Sequence, residues 1–148
     1  MDTFIERVPE FIANHPFIMG ALVLTLSLIG IMEYQRASRV GRLLSPMQAT
    51  RLQNDEDALV IDVRARKDYD AGHIHGAQTI PEREIGQSIH QLKKHAARPV
   101  ILYDEGGFNA ERAAKTLKRN GFERLYVIDG GLSAWRKAEL PVRAGSEK

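Results

Sequence analysis

Leu59-Val60-Ile61-Asp62-Val63-Arg64 opens the stretch that decides the fold, which continues through Tyr69, Gly72-His73-Ile74-His75-Gly76-Ala77 and Ile80-Pro81. Leu59 to Val63 is a continuous apolar run broken only by Asp62 near its C-terminal end, the pattern of a strand buried on both faces of a parallel sheet. A second run, Val100 to Tyr103, starts after Pro99 and has the same strand character. It leads into Asp104-Glu105-Gly106-Gly107-Phe108, where adjacent glycines allow a tight turn and exposed backbone amides. From Asn109 the pattern becomes helical, with Ala113, Ala114 and Leu117 on one face and Glu111, Lys115, Lys118 and Arg119 outside. Strand, glycine loop and helix start, in that order, aim amides and the positive end of a helix dipole at one spot.

Working outward, Ser45-Pro46 reads as a helix start, with Ser45 as N-cap and Pro46 in the first turn, running to about residue 54. Strands are expected at 42–44, 59–63, 77–80, 99–103 and 124–128. Helices are expected at 82–86, 87–96, 109–120 and 131–137. Strands alternating with helices imply a parallel sheet covered on both faces. Loops at the C-terminal strand ends, including 104–108, form the ligand-side crevice in such folds.

The Asp62-Val63-Arg64, Tyr69, Gly72-His73-Ile74-His75-Gly76-Ala77 and Ile80-Pro81 series resembles the rhodanese-like family. Gly121-Phe122, Val127, Gly130-Gly131-Leu132-Ser133-Ala134-Trp135 and Leu140-Pro141-Val142 resemble that family's last strand and helix. Together the matches span residues 43–143. The resemblance implies an α/β, three-layer fold with a mainly parallel central sheet. It also implies a loop of the form Cys-x-x-Gly-x-Arg, whose cysteine carries a transferable sulfur as a persulfide. Here Asp104 stands for the cysteine, Gly107 keeps the glycine, Asn109 stands for the arginine, and the chain contains no cysteine at all. A carboxylate forms no persulfide, so we expect no catalytic residue in this loop (Asp104, Glu105, Gly106, Gly107, Phe108, Asn109). The Asp104 carboxylate is expected to fill the amide cradle as a built-in anion. Asn109 is expected as a plain helix N-cap, a role worth about 1 kcal/mol over alanine. A phosphoryl-accepting Asp104 would need magnesium or a cationic clamp; its neighbour is instead Glu105, and the loop holds no Lys or Arg.

Asp62, Arg64, Gly72, His73, Gly76, Gly130, Gly131 and Trp135 are expected to be structural, with Asp62 and Arg64 pairing or capping loops at the strand end. Arg64 has a second reading, in which it faces the Asp104 loop and offsets its charge. Asp104, Glu105, Phe108 and Arg64 form the candidate binding set. His73 and His75 with Asp68 and Asp70 lack a strict ligand spacing, so no metal is expected, and no cofactor. His90 and His95 fall in a polar helical stretch and read as surface residues.

The 148 residues leave room for one domain and an appendage, and a net charge of +2 without a basic, aromatic-interleaved stripe argues against nucleic acid. Pro16 to Met32 carries no charge over about 17 residues, roughly 26 Å as a helix. His15 and Tyr34-Gln35 extend it at the interfaces, giving a lipid-contacting transmembrane helix over 16–35. Asp2, Glu6 and Glu10 outnumber Arg7 before it, and no small-x-small site follows Met32, so a cleaved signal peptide is not expected. Arg36, Arg39 and Arg42 follow the apolar run against Arg7 before it, which places the C-terminal domain in the cytoplasm. Residues 1–15 are then extracytoplasmic or interfacial, with Phe4, Ile5, Val8, Phe11 and Ile12 on one helical face over 3–12. A basic juxtamembrane linker (36–42), the domain (43–143) and a tail (144–148) complete the division.

The resemblance extends to bacterial single-pass proteins with a short N-terminal anchor in the inner (plasma) membrane. The function it implies is a membrane-anchored, catalytically inactive domain that binds a protein partner or acts as a scaffold. A basic partner or peptide is one fit to Asp104 and Glu105. Two alternatives stay open: sulfane-sulfur handling that depends on a partner's cysteine, and a regulatory ligand-binding domain.

Overall fold

The computed structural model describes residues 13–37 and 40–145. The interfacial helix expected over 3–12, Arg39 and residues 146–148 lie outside the described residues, as does the side chain of Arg36. The chain divides into two units, one ending at Arg39 and one beginning at Val40.

The first unit contains helix α1 (Pro16–Ala37), 22 residues long. At 1.5 Å per residue it reaches about 33 Å, enough for a hydrocarbon core of about 30 Å. Its apolar side chains, Leu22, Val23, Leu24, Leu26 and Ile29 among them, lie exposed. The hydroxyls of Thr25 and Ser27 donate back to the carbonyls of Ala21 and Val23, each at 2.8 Å, so both are satisfied within the helix. The stretch Pro16–Tyr34 is long and apolar enough to cross a membrane.

The second unit is a three-layer α/β domain. In chain order it runs β1 (Arg42–Leu44), α2 (Pro46–Glu56), β2 (Leu59–Asp62), α3 (Arg66–Ala71), β3 (His73–Ile74), β4 (Gln78–Thr79), a 3-10 turn at Glu82–Glu84, α4 (Ile85–Leu92) and a 3-10 turn at Lys93–His95. Next come β5 (Val100–Tyr103), α5 (Phe108–Arg119), β6 (Leu125–Ile128), α6 (Gly131–Lys137) and β7 (Val142–Arg143). The central sheet has the order β1-β6-β5-β2-β4, and every pairing in it is parallel.

Successive strand residues face opposite sides of a sheet, so each buried strand serves two cores. Leu59, Ile61, Val100, Leu102, Leu125 and Val127 pack under Ile89 and Leu92 of α4 and Ala113 and Leu117 of α5. Val60, Ile101, Tyr103 and Ile128 face the other way, against Ala49 of α2, Tyr69 of α3 and Trp135 of α6. Helix α2 starts as expected: the Gln48 amide donates to Ser45 Oγ at 3.3 Å, and the Ser45 amide donates to Gln48 Oε1 at 2.9 Å, a reciprocal capping box.

Four details differ from expectation. The expected strand over 77–80 keeps only Gln78–Thr79, and the helices expected over 82–86 and 87–96 resolve into one α-helix between two 3-10 turns. Helix α3 was not anticipated, nor was the antiparallel ribbon pairing His73 with Arg143 and Ile74 with Val142. Two-residue strands carry too little periodicity to be read from sequence.

Candidate functional site

Strand β5 is the middle strand of the sheet, and Asp104 follows directly at its C-terminal end. Its neighbour β2 runs parallel with Asp62 opposite Tyr103, which brings the Asp62–Arg64 turn beside the Asp104 loop. An open crevice of about 530 Å3 lies here, lined by Val63, Arg64, Ala65, Asp68, Asp104, Glu105, Asn109 and Arg136 among others.

Asp104 is 4% exposed and faces the start of α5. Its Oδ1 accepts a hydrogen bond from the Gly107 amide, and its Oδ2 accepts one of 2.7 Å from the Asn109 amide. Gly107 makes this possible with φ of +107°, a conformation that costs a side-chain-bearing residue strain. Asn109 is therefore not the N-cap: the cap position belongs to Gly107, without a side-chain bond, and α5 begins at Phe108. Asp104 does the capping from a distance by reaching forward to the first amides of the helix. The loop backbone is held from the other side, where the Leu132 amide donates to the Asp104 carbonyl at 2.8 Å and the Ser133 amide to the Glu105 carbonyl at 3.2 Å. Gly131, with φ of +57°, sits so close that a Cβ would come 2.8 Å from the Glu105 carbonyl oxygen.

The loop has no cation of its own, yet two arrive from elsewhere in the chain. Arg64 Nη1 donates to Glu105 Oε2 at 3.2 Å, and Arg136 Nη1 donates to Glu105 Oε1 at 3.0 Å. Ser133 Oγ donates to the same Oε1 at 3.0 Å. Sequence reasoning missed Arg136 and Ser133, which lie 31 and 28 residues from Glu105 with no motif linking them.

Arg64 also holds Asp62, so the two readings of this residue coexist. Its Nε and Nη2 donate to the Asp62 carboxylate, Nη2 at 2.6 Å from Oδ2, and Nη2 also donates to the Gly72 carbonyl at 2.7 Å. The guanidinium carbon lies 5.9 Å from the Tyr103 ring centre. Burial disfavours the Arg64 charge, but the hydrogen bonds and charge of Asp62 outweigh it and raise the pKa above the ordinary arginine value. Burial, and then the charge of Asp62, push the Tyr103 phenol well above its usual range. The Tyr103 hydroxyl accepts the Ile74 amide at 3.1 Å.

The remaining sequence candidates lie around this centre. His73 is fully buried, stacked on Tyr69 with ring centres 3.8 Å apart, and its Nδ1 donates to the Tyr69 carbonyl at 3.0 Å. Gly76 and Gly130 occupy turns with positive φ. Trp135 is buried, and its Nε1 donates to the Pro141 carbonyl at 3.1 Å. Phe108, the first residue of α5, is 84% exposed. Gly106 has open space around it. His90 is exposed and His95 half-buried.

Comparison with known proteins agrees with this fold. The family model described as the rhodanese-like domain matches residues 45–138. The uncharacterized protein YibN of Escherichia coli (strain K12) is 30% identical over 141 residues, covering 95% of this chain and 99% of YibN. The tRNA uridine(34) hydroxylase of Escherichia fergusonii is 35% identical over 115 residues, 72% of this chain but 33% of the hydroxylase. In fold alone, the thiosulfate sulfurtransferase of Pseudomonas aeruginosa is similar at a TM-score of 0.67 and 19% identity, over 76% of this chain and 22% of that one.

Proposed function

The chain belongs to the rhodanese-like family, and on that premise we propose that it is a membrane-anchored member without sulfur-transfer activity, acting as a protein-binding or scaffold module. The observation that carries this reading is the Asp104 carboxylate seated on the Gly107 and Asn109 amides. Those amides are where a thiolate or persulfide would be stabilised, and the chain has no cysteine to supply one. A resident carboxylate leaves the fold intact while removing the nucleophile.

Helix α1 anchors the protein as a single pass through the inner membrane. Arg36, Arg39 and Arg42 following the apolar run, against Arg7 before it, support a cytoplasmic domain. The contact surface is the crevice lined by Arg64, Asp104 and Glu105, together with the solvent-exposed Phe108, next in sequence to the crevice residue Asn109. Exposed aromatic residues and arginines are enriched at protein interfaces, and this composition supports a binding role. Sulfur handling through a partner's cysteine is the second reading, and the arrival of Arg64 and Arg136 at the loop favours it more than the loop sequence did.

The test is photo-crosslinking in intact membranes. A crosslinker at Phe108 is expected to yield a discrete protein adduct, whereas one at exposed Lys118 on the far end of α5 does not. Equal labelling from both positions, or none from Phe108, overturns the binding role. An alkaline phosphatase fusion at the C-terminus is expected to be inactive; activity there overturns the orientation.

A further inference from the structure

Three donors from two segments, Arg64 after β2 and Ser133 and Arg136 on α6, converge on one carboxylate. Arg64 Nη1 reaches Glu105 Oε2, while Arg136 Nη1 and Ser133 Oγ reach Oε1. Donors addressing both oxygens of a planar acceptor are the arrangement that recognises a carboxylate. The receptor is firmer than its occupant. Arg64 has a side chain only 8% exposed and is fixed from behind by Asp62 and the Gly72 carbonyl, so its Nη1 faces the crevice whether or not Glu105 is there. The Glu105 side chain is 52% exposed, and an ion pair that open to water contributes little to stability. It can swing out without stranding a buried charge.

We propose that Arg64, Ser133 and Arg136 form a receptor for the carboxylate of an incoming ligand, with Glu105 as the built-in occupant that the ligand displaces. Both Asp104 oxygens are engaged by amides and both Glu105 oxygens by cations or hydroxyl. A basic ligand therefore finds no idle carboxylate among them, whereas an acidic one finds a formed set of donors. The crevice of about 530 Å3 beside the receptor has room for a short acidic peptide segment or a small free carboxylic acid. The inference rests on the binding role proposed above and narrows it to acidic ligands. Sulfur-transfer turnover would remove that role and leave the titration below standing, while a flat titration removes this inference alone.

The experiment is calorimetric titration of the full chain in detergent micelles with an amidated tetraglutamate peptide, succinate and inorganic phosphate. Glu105→Gln is expected to bind the carboxylate probes about tenfold more tightly than the wild type, because the competing occupant has lost its charge. Adding Arg136→Gln to that variant is expected to abolish the gain. Glu123→Gln, an exposed acid at the opposite end of the sheet, is expected to change nothing. In the wild type, both carboxylate probes are expected to shift the Arg64 and Arg136 Nε–H resonances, a readout that does not depend on any variant folding. Tighter binding of the peptide than of succinate assigns the receptor to a polypeptide, and the reverse assigns it to a free acid. No gain in Glu105→Gln, a gain that survives Arg136→Gln, an equal gain in Glu123→Gln, or phosphate binding above both carboxylates would each overturn the proposal.

Discussion

The Asp104 carboxylate accepts a 2.7 Å hydrogen bond from the amide of Asn109, five residues further along the chain. With the Gly107 amide on its other oxygen, this turns a strand-end aspartate into the cap of the following helix. The negative charge at a helix N-terminus is favourable in its own right. The loop is thus a stable feature rather than a leftover, and replacing its central residue has a cost.

Asp104→Ala removes both acceptors and leaves the Gly107 and Asn109 amides without their partner. Loss of a charged cap of this kind is expected to destabilise by about 1–3 kcal/mol. Asp104→Asn keeps one good acceptor and is expected to lose less. Thermal unfolding of the full chain in detergent, followed by near-ultraviolet circular dichroism, checks the order wild type, Asn, Ala. An alanine variant as stable as the wild type would show that the carboxylate does not cap α5.

Gly131→Ala drives a methyl group against the Glu105 carbonyl, at a residue whose φ is already +57°. We expect a loss of about 1–3 kcal/mol. The loop must also shift, weakening the Leu132 and Ser133 amide bonds that hold its backbone. Faster hydrogen exchange at those two amides is the local signature. Unchanged exchange there would mean that α6 does not brace the loop.

Tyr103 gives a pH dependence of known sign. Its folded-state pKa lies above the unfolded value because burial, and then the Asp62 charge, oppose ionisation. Stability from this source is therefore complete below about pH 10 and is lost as pH rises beyond it, by about 1.4 kcal/mol per unit. Tyr103→Phe leaves the Ile74 amide without its acceptor, costing about 1 kcal/mol at neutral pH. The same variant is expected to flatten the alkaline slope. A slope identical to that of the wild type would contradict the assignment.

Much of this arrangement was legible in the residues. The buried run at Leu59–Val63, the Ser45-Pro46 helix start and the Gly106-Gly107 loop are local patterns, and local patterns survive folding. The helix at Pro16–Tyr34, long and apolar enough to cross a membrane, was legible because length and apolarity are local properties of the sequence. What escaped were relationships between distant segments. Nothing in Trp135-Arg136 says that its guanidinium will meet Glu105, because that depends on how α6 docks on the sheet. The Asn109 cap was misplaced for a related reason. Asparagine before a helix is a sound signal, but the positive φ at Gly107 puts the cap two residues earlier, and Asp104 takes the Asn109 amide instead.

Sulfur transfer from thiosulfate to cyanide by the purified full chain tests the central claim most directly. A carboxylate in the cradle predicts thiocyanate formation no faster than in protein-free buffer, across all thiosulfate concentrations. Turnover above that background, lost again in Asp104→Ala, would contradict it.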